Sequence, residues 1–239
     1  MTKTFKALSA LLSYPTPELQ EAASELGAIF EAEALIPEGS RRKLDALIAR
    51  IADGDIYELQ EQYVLQFDRT RSLSLHLFEH VHGEGRERGQ ALVDLQQLYE
   101  RGGMVIDARE LPDYLPLFLE FLSTLPVTEA RELLHEPLHI IAALGERLIR
   151  RDSDYASIAL ALVSIAEHTP ESDAVADLLK IPDDDPDDLD ALDQIWEEAA
   201  IEFGPGADNA DGCPQVSDML QRMDIPNTTP DPDGRPQNG

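Results

Sequence analysis

The chain has 239 residues, of which 43% are hydrophobic, so it is long enough to bury the core of one large domain or two small ones. Its formal net charge of -28 argues against a nucleic acid or an anionic membrane surface as the partner, because both attract Lys and Arg. A single cysteine, no recognisable signal peptide and no run near 18 apolar residues predict a cytoplasmic protein without an internal disulfide.

Apolar residues recur at helical spacing along the first part of the chain. A short helix is expected to end at Pro15, and Thr16 is a typical N-cap for the helix that follows, with proline at its first position. Ser40 begins a third helix, and Asp55 caps a fourth that runs on through Phe67. No stretch alternates with a period of two, so the sequence predicts an all-α protein.

The second part of the chain is also helical in its pattern. A strongly apolar segment lies between Pro112 and Pro126. A long helix follows, with a capped start at residues 128–132 and apolar residues from Leu133 to Ile149, and Pro137 is expected to introduce a kink. Further helices are predicted over residues 154–168 and around Trp196.

The end of the chain differs from the rest in composition and charge. Residues 152–239 carry 22 acidic and 3 basic side chains, and beyond residue 203 Gly, Pro, Asp and Asn dominate. We therefore expect a helical domain over residues 1–203 and a disordered acidic tail over residues 204–239. The acidic part is either a solvated, repelling surface or a surface that attracts a basic partner.

A dense polar cluster lies within residues 68–82, where three of the six histidines fall among charged and apolar side chains. The pattern HLFEH at residues 76–80 matches that of inverted zinc metallopeptidases, in which two histidines four apart on a helix bind one Zn²⁺ and the glutamate acts as base. The alternative is hydrogen-bonded packing that braces the junction between helices, with some side chains facing a partner. The residues of this cluster are Asp68, Arg69, Arg71, His76, Glu79, His80 and His82.

The segment DYLPLFLEFL at residues 113–122 places aromatic and aliphatic side chains at helical spacing beside two carboxylates. This pattern fits either a core helix or an apolar groove with an acidic rim that accepts a basic or amphipathic helix. In the second case the groove residues are Tyr114, Leu115, Phe118 and Phe121, with Asp113 and Glu120 for cations.

Other common chemistries have no support in the sequence. There is no glycine-rich loop followed by Lys-Ser/Thr, no dinucleotide fingerprint after a strand, no cysteine spacing for a metal or cluster, and no serine elbow. Apart from the zinc alternative, the chain is therefore not expected to be an enzyme.

Three stretches together resemble one family. They are FKALSALLSYPTPEL near the N-terminus, YVLQFDRTRSLSLHLFEHVHGEGRERGQALVDL at residues 63–95, and ELPDYLPLFLEFLS at residues 110–123. The resemblance covers roughly residues 4–200 and is to the NarJ-type assembly chaperones of respiratory nitrate reductase, within the all-helical TorD/DmsD-like group.

This resemblance implies a single helical bundle and a dedicated chaperone that is absent from the finished enzyme. The implied partner is the catalytic molybdenum subunit, bound through its N-terminal segment, a remnant twin-arginine-type helix; cofactor-biosynthesis proteins are further partners. The implied role is to keep that subunit competent for insertion of molybdopterin guanine dinucleotide and to delay its docking at the membrane. No stable cofactor is expected in the chaperone itself.

Overall fold

The computed structural model describes residues 2–81, 86–106 and 110–183, which all lie in one compact unit. These residues form ten α-helices and no β-strand, which confirms the all-α prediction. Three short turns of other helical types follow α4: a π-helical turn at Val64–Asp68 and 3-10 turns at Arg71–Leu73 and Leu77–His80. The helices are α1 (Lys3–Leu11), α2 (Pro17–Glu33), α3 (Glu38–Asp53), α4 (Ile56–Tyr63), α5 (Arg86–Arg101), α6 (Leu115–Thr124), α7 (Val127–His135), α8 (Leu138–Arg150), α9 (Ala156–Ala166) and α10 (Ser172–Leu178).

Local capping explains where several of these helices begin. The hydroxyl of Thr16 accepts a hydrogen bond from the N–H of Leu19 at 3.2 Å, with Pro17 at the first helical position, and this confirms the predicted start of α2. The carboxylate of Asp55 accepts from the N–H of Tyr57 at 2.9 Å and so caps α4 as expected. These side chains satisfy amide groups that have no partner within the helix.

The start of α1 is capped from another helix. The carboxylate of Glu33, at the end of α2, accepts the N–H groups of Lys3 and Thr4 at 2.8 Å each. It also accepts the hydroxyl of Thr4 at 2.7 Å. Partial burial opposes ionisation of Glu33, but these hydrogen bonds outweigh it, and the pKa of this carboxyl is lowered.

The core lies where α1, α6, α8 and α9 meet. α1 packs on α2 and α6, α8 packs on α9, and α3 joins α2 to α9. Gly145 permits the close approach of α8 to α9, because a Cβ atom at this position would lie 2.9 Å from the Cβ of Ala159. Helix α6 buries Phe118, Leu119, Phe121 and Leu122, so nearly its whole circumference faces protein.

A buried arginine in α8 is hydrogen-bonded to two other segments, the 3-10 turn at Arg71–Leu73 and the end of α10 with the residues after it. Arg147 is 2% exposed, and its guanidinium donates to the carbonyl oxygens of Ser72 at 2.6 Å and Leu178 at 2.8 Å. The same group also donates to the carbonyl of Ile181 at 3.3 Å. A planar cation with five N–H donors is suited to this task, because it can satisfy several carbonyls at once.

Two predicted helices differ from the observed ones. The helix that begins after Asp55 was expected to continue through Phe67, but α4 ends at Tyr63 and the chain continues as the π-helical turn. The long helix with a kink at Pro137 is two helices, since α7 ends at His135 and α8 begins at Leu138. Proline lacks an N–H and its ring collides with the preceding turn, which here ends the helix outright.

Some sequence predictions lie outside the described residues. They are the helix around Trp196, the domain boundary at residue 203 and the acidic tail over residues 204–239. Within the described residues, no helix combines the length and the hydropathy that crossing a bilayer requires.

Candidate functional site

The histidine-rich segment is held by the start of α6 and does not form an α-helix. His76 is extended and forms an isolated antiparallel bridge with Tyr114. The N–H of Leu77 donates to the carbonyl of Asp113 at 3.0 Å, and the N–H of Leu115 donates to the carbonyl of Leu75 at 2.8 Å. These two hydrogen bonds join the extended segment around His76 to the residues at the start of α6. After His76 the chain forms a short 3-10 turn at Leu77–His80.

Asp113 is the centre of this junction. It is fully buried, and its carboxylate accepts hydrogen bonds from Nδ1 of His76 at 3.2 Å and from the N–H of Phe78 at 3.1 Å. Burial opposes the charged carboxylate, but these two bonds and the charges of His76 and Arg88 outweigh it, so the pKa of Asp113 is lowered. The bond to Asp113 also raises the pKa of His76, although partial burial of the imidazole works in the opposite direction.

The other members of the HLFEH pattern have separate partners. Nε2 of His80 donates to the carbonyl of Ser74 at 2.8 Å, and burial lowers the pKa of this imidazole. Glu79 forms an ion pair with Arg88 at 3.1 Å. The zinc alternative assumed two histidines on one face of an α-helix, and that premise is wrong because His76 is extended. In the described part of the chain no three His, Cys, Asp or Glu side chains are placed to hold a metal ion.

The remaining residues of the predicted cluster do not all lie at this junction. Asp68, Arg69 and Arg71 are exposed, and Asp68 lines a hollow that also contains His76 and Tyr114. His82 lies outside the described residues. The structure thus brings His76 and His80 into one junction, each through its own hydrogen bond, while a role of these residues in client contact stays a prediction.

The predicted groove on α6 is not open in this structure. Leu115, Phe118 and Phe121 are 3%, 4% and 1% exposed, and Asp113 is fully buried. Glu120 is half-exposed but forms an ion pair with Lys6 at 3.2 Å. The helix face that the sequence offered as a binding surface is therefore mostly core, because α6 is surrounded by its neighbours.

An apolar groove does exist beside this face, and several elements build it. It has a volume of about 310 Å³, with Leu77, Phe118 and Ile140 at its base. Half-buried apolar side chains from the 3-10 turn and from α5 and α7 form its walls, and Glu136 and His139 are among its polar residues. Of the predicted client-binding residues, only Phe118 lines it. The described residues that line it are Leu77, Phe78, Val81, Leu95, Leu98, Phe118, Leu133, Glu136, Pro137, His139 and Ile140.

Helical spacing alone does not identify the residues that form the walls of the groove. Leu95 and Leu98 on α5, and Leu133 on α7, follow ordinary helical spacing, and nothing in that pattern separates a groove from a core. The sequence signal that relates to the groove is Pro137. The break at this residue ends α7, and Ile140 at the start of α8 then lies at the base of the groove.

Comparison with known proteins places the chain in a family. The family model described as the nitrate reductase delta subunit matches residues 33–161. The chain is 42% identical over 197 residues to the nitrate reductase molybdenum cofactor assembly chaperone NarJ of Escherichia coli K12, covering 82% of this chain and 83% of that protein. It is 38% identical to the probable chaperone of the same description, NarW, of the same strain, covering 87% and 86%.

A more distant relative agrees with these two. The probable nitrate reductase molybdenum cofactor assembly chaperone NarJ of Bacillus subtilis 168 is 35% identical, covering 69% of this chain and 89% of that protein. None of these relatives carries the name of an enzyme, and none supports the zinc hydrolase alternative. The family match over more than half of the chain and these identities confirm the resemblance seen in the motifs: the chain belongs to the nitrate reductase delta subunit family, the NarJ type of assembly chaperone.

Proposed function

We propose that this protein is a system-specific chaperone of respiratory nitrate reductase. It binds the N-terminal segment of the catalytic molybdenum subunit in the cytoplasm and holds that subunit competent for insertion of molybdopterin guanine dinucleotide. It also delays docking of the subunit at the membrane, and it leaves before the enzyme is complete. The observation that carries this proposal is the apolar groove in a protein whose relatives are named as assembly chaperones.

The groove suits an amphipathic helix better than a small polar molecule. Its base and walls are apolar over most of their extent, and a volume of about 310 Å³ accommodates a few aliphatic or aromatic side chains. A helix presents such side chains at positions i, i+3, i+4 and i+7, which is the usual way for an amphipathic segment to enter a groove. Exposed apolar surface continues at Val81, which is 44% exposed.

Charge favours a basic segment as the occupant. The net charge is -28, and the exposed side chain of Glu136 stands at the groove. A client segment with Lys or Arg on its polar face is attracted by this field, whereas an acidic one is repelled. The attraction is screened by salt, so binding weakens as the ionic strength rises.

Calorimetry with a synthetic peptide tests the groove directly. A peptide that copies the N-terminus of the catalytic subunit is expected to bind with a dissociation constant of about a micromolar or below at low salt. Replacing Leu95 and Leu98 with Ser is expected to weaken this at least about tenfold, because apolar area is lost from the walls. The matched control is Val93→Ser on the same helix, since Val93 is 47% exposed and does not line the groove. Absence of binding by the wild-type protein, or equal binding by the wall variant, refutes the assignment.

A deletion strain tests the biological role. Without the protein, nitrate reductase subunits are expected to accumulate with little molybdenum, and the wild-type gene restores the metal content. The Leu95→Ser, Leu98→Ser variant is expected to restore it poorly at equal protein abundance, while Val93→Ser restores it fully. Normal molybdenum content in the deletion strain rules out the chaperone role itself.

A further inference from the structure

A second hollow, lined by His76 and not by Leu77 or Phe78, differs from the groove in its chemistry. Its volume is about 260 Å³, and three tyrosines and two carboxylates line it. Tyr63 is 4% exposed and forms the base, whereas Tyr14 is 44% exposed. Asp68 and Glu110 are exposed at the rim, and Tyr114 is half-buried. We call it the tyrosine–carboxylate pocket, defined by Tyr14, Tyr63, Asp68, Glu110 and Tyr114.

The tyrosine rings are fixed by their neighbours. Tyr63 donates its hydroxyl proton to the carbonyl of Leu12 at 2.9 Å, so the hydroxyl of Tyr114, 3.3 Å away, is left to donate to the Tyr63 oxygen. The rings of Tyr14 and Tyr63 meet edge to face with centroids 5.6 Å apart. The pocket is therefore preformed, and a ligand does not have to order these side chains.

The two carboxylates of the pocket are not neutralised by an ion pair within the part of the chain that the structure describes. Among the residues that the structure describes, neither Asp68 nor Glu110 forms an ion pair. Partial burial and the charge of Glu110 raise the pKa of Asp68, and burial together with both carboxylates raises the pKa of Tyr114. Among the described residues, the other titratable side chain that lines the pocket is His76, whose Nδ1 is hydrogen-bonded to Asp113.

We propose that the tyrosine–carboxylate pocket binds a guanidinium group, presented by an arginine side chain of a polypeptide partner. Two carboxylates that form no ion pair among the described residues supply the charge, and tyrosine faces attract a planar cation through their quadrupoles. A guanidinium stacks on such rings and bonds a carboxylate with two N–H groups, which an ammonium cannot do. Phosphates and acidic side chains are excluded by the same charges.

The pocket and the apolar groove are linked through one residue. The Asp113 carboxylate bonds His76, which lines the pocket, and also the N–H of Phe78, whose side chain lines the groove. The assignment of this arginine to the client segment rests on the proposed function. The affinity of the pocket for a guanidinium group is independent of that function.

The first test uses a small probe and the full chain. N-acetyl-arginine amide is titrated into protein carrying ¹³C-labelled tyrosine rings, followed by NMR, with N-acetyl-citrulline amide as the neutral probe of the same shape. Signals of Tyr14, Tyr63 and Tyr114 are expected to shift, with a dissociation constant on the order of millimolar. The citrulline probe is expected to bind at least about tenfold more weakly.

Charge variants localise the binding. Asp68→Asn with Glu110→Gln is expected to weaken the arginine probe at least about tenfold, and either change alone about threefold. Both side chains are exposed, so the variant is expected to fold, and its circular dichroism melt checks this. The matched control is Asp45→Asn with Glu132→Gln, which removes the same charge from exposed positions elsewhere. Equal binding of the citrulline probe, or equal loss in the control, overturns the proposal.

A client peptide separates this proposal from the proposed function. If the wild-type protein binds the N-terminal peptide, replacing the arginines of the peptide with citrulline one at a time is expected to identify one position with a loss of about tenfold. That loss is expected to disappear in the Asp68→Asn, Glu110→Gln variant. If no arginine shows this coupling, the partner assignment fails even though peptide binding and the chaperone role stand.

Discussion

Replacing Asp113 with Asn perturbs the junction between the histidine segment and α6 without changing its shape. The carboxylate is fully buried and accepts from Nδ1 of His76 and from the N–H of Phe78. The asparagine oxygen can keep the bond from Phe78, but the amide NH₂ then faces His76, which can accept it only as a neutral imidazole. The variant therefore loses the charged pair.

The magnitude follows from the type of bond that is lost. A hydrogen bond to a charged group contributes about 1.5–3 kcal/mol, against about 1 kcal/mol for a neutral one. We expect Asp113→Asn to lower the free energy of unfolding by about 2 kcal/mol at pH 6. For a domain of this size that corresponds to a fall of about 4–8 °C in Tm. The lowered pKa of Asp113 supports a loss of stability in the variant. It means that the hydrogen bonds to the carboxylate more than offset the cost of burying its charge.

The effect depends on pH in a defined direction. The pKa of His76 is raised in the folded protein, so the stability it contributes is complete below its unfolded value near 6.5 and is lost as the pH rises through the folded value. The pKa of Asp113 is lowered, so its contribution is present above its unfolded value near 3.9 and is lost in stronger acid. The loss on mutation is therefore expected to be largest between about pH 4.5 and 6.5 and to shrink to about 1 kcal/mol at pH 9.

Urea unfolding followed by far-ultraviolet circular dichroism, at intervals from pH 5 to 9, measures this difference. Asp45→Asn is the control, because Asp45 is exposed on α3. A loss that is the same at every pH means that the His76–Asp113 pair does not carry the charge proposed for it. No loss at any pH refutes the role of Asp113 at the junction.

Three further substitutions have expected effects on stability. Glu33→Gln removes the charged acceptor at the start of α1 and is expected to lower the free energy of unfolding in urea by about 1 kcal/mol at pH 7. The loss is expected to become smaller as the pH falls through the lowered pKa of Glu33. An unchanged urea midpoint at pH 7 contradicts this prediction. Arg147→Met leaves three carbonyls without their buried donor, so we expect the free energy of unfolding to fall by about 3 kcal/mol and amide hydrogen exchange in α10 to become faster. Unaltered exchange in α10 would show that Arg147 does not stabilise that helix. Gly145→Val forces α8 away from α9 and is expected to cost about 2 kcal/mol by thermal unfolding, whereas Gly27→Val on α2, where a Cβ atom meets nothing within 4 Å, is the control.

Local sequence signals predicted the helices well wherever the signal and its effect lie close together in the chain. Thr16 and Asp55 cap the helices that follow them through bonds to residues two or three positions away. Pro137 was correctly identified as a disturbance, but its effect was underestimated, because whether a proline kinks or ends a helix depends on what packs against it.

The candidate site was predicted less well, and the reason is visible in two residues. Phe121 and Leu98 have the same helical periodicity around them, yet Phe121 is 1% exposed against Tyr99 and Leu98 is a wall of the groove. Periodicity identifies an apolar face but carries no information about whether another element covers it. The zinc alternative failed for a related reason, since four-residue spacing places two histidines together only if the segment is an α-helix, and His76 is extended.

The sequence by itself determined the all-α class, the caps and the family, because these depend on short-range periodicity and on motifs that can be read in order along the chain. Only the tertiary structure decided which apolar faces are covered, which ones form the groove, and where Asp68 and Glu110 lie beside the tyrosines. Tyr14 and Tyr114 are a hundred residues apart in the chain, and the pocket that they share exists only because the segment after α1, the π-helical turn and the start of α6 lie together.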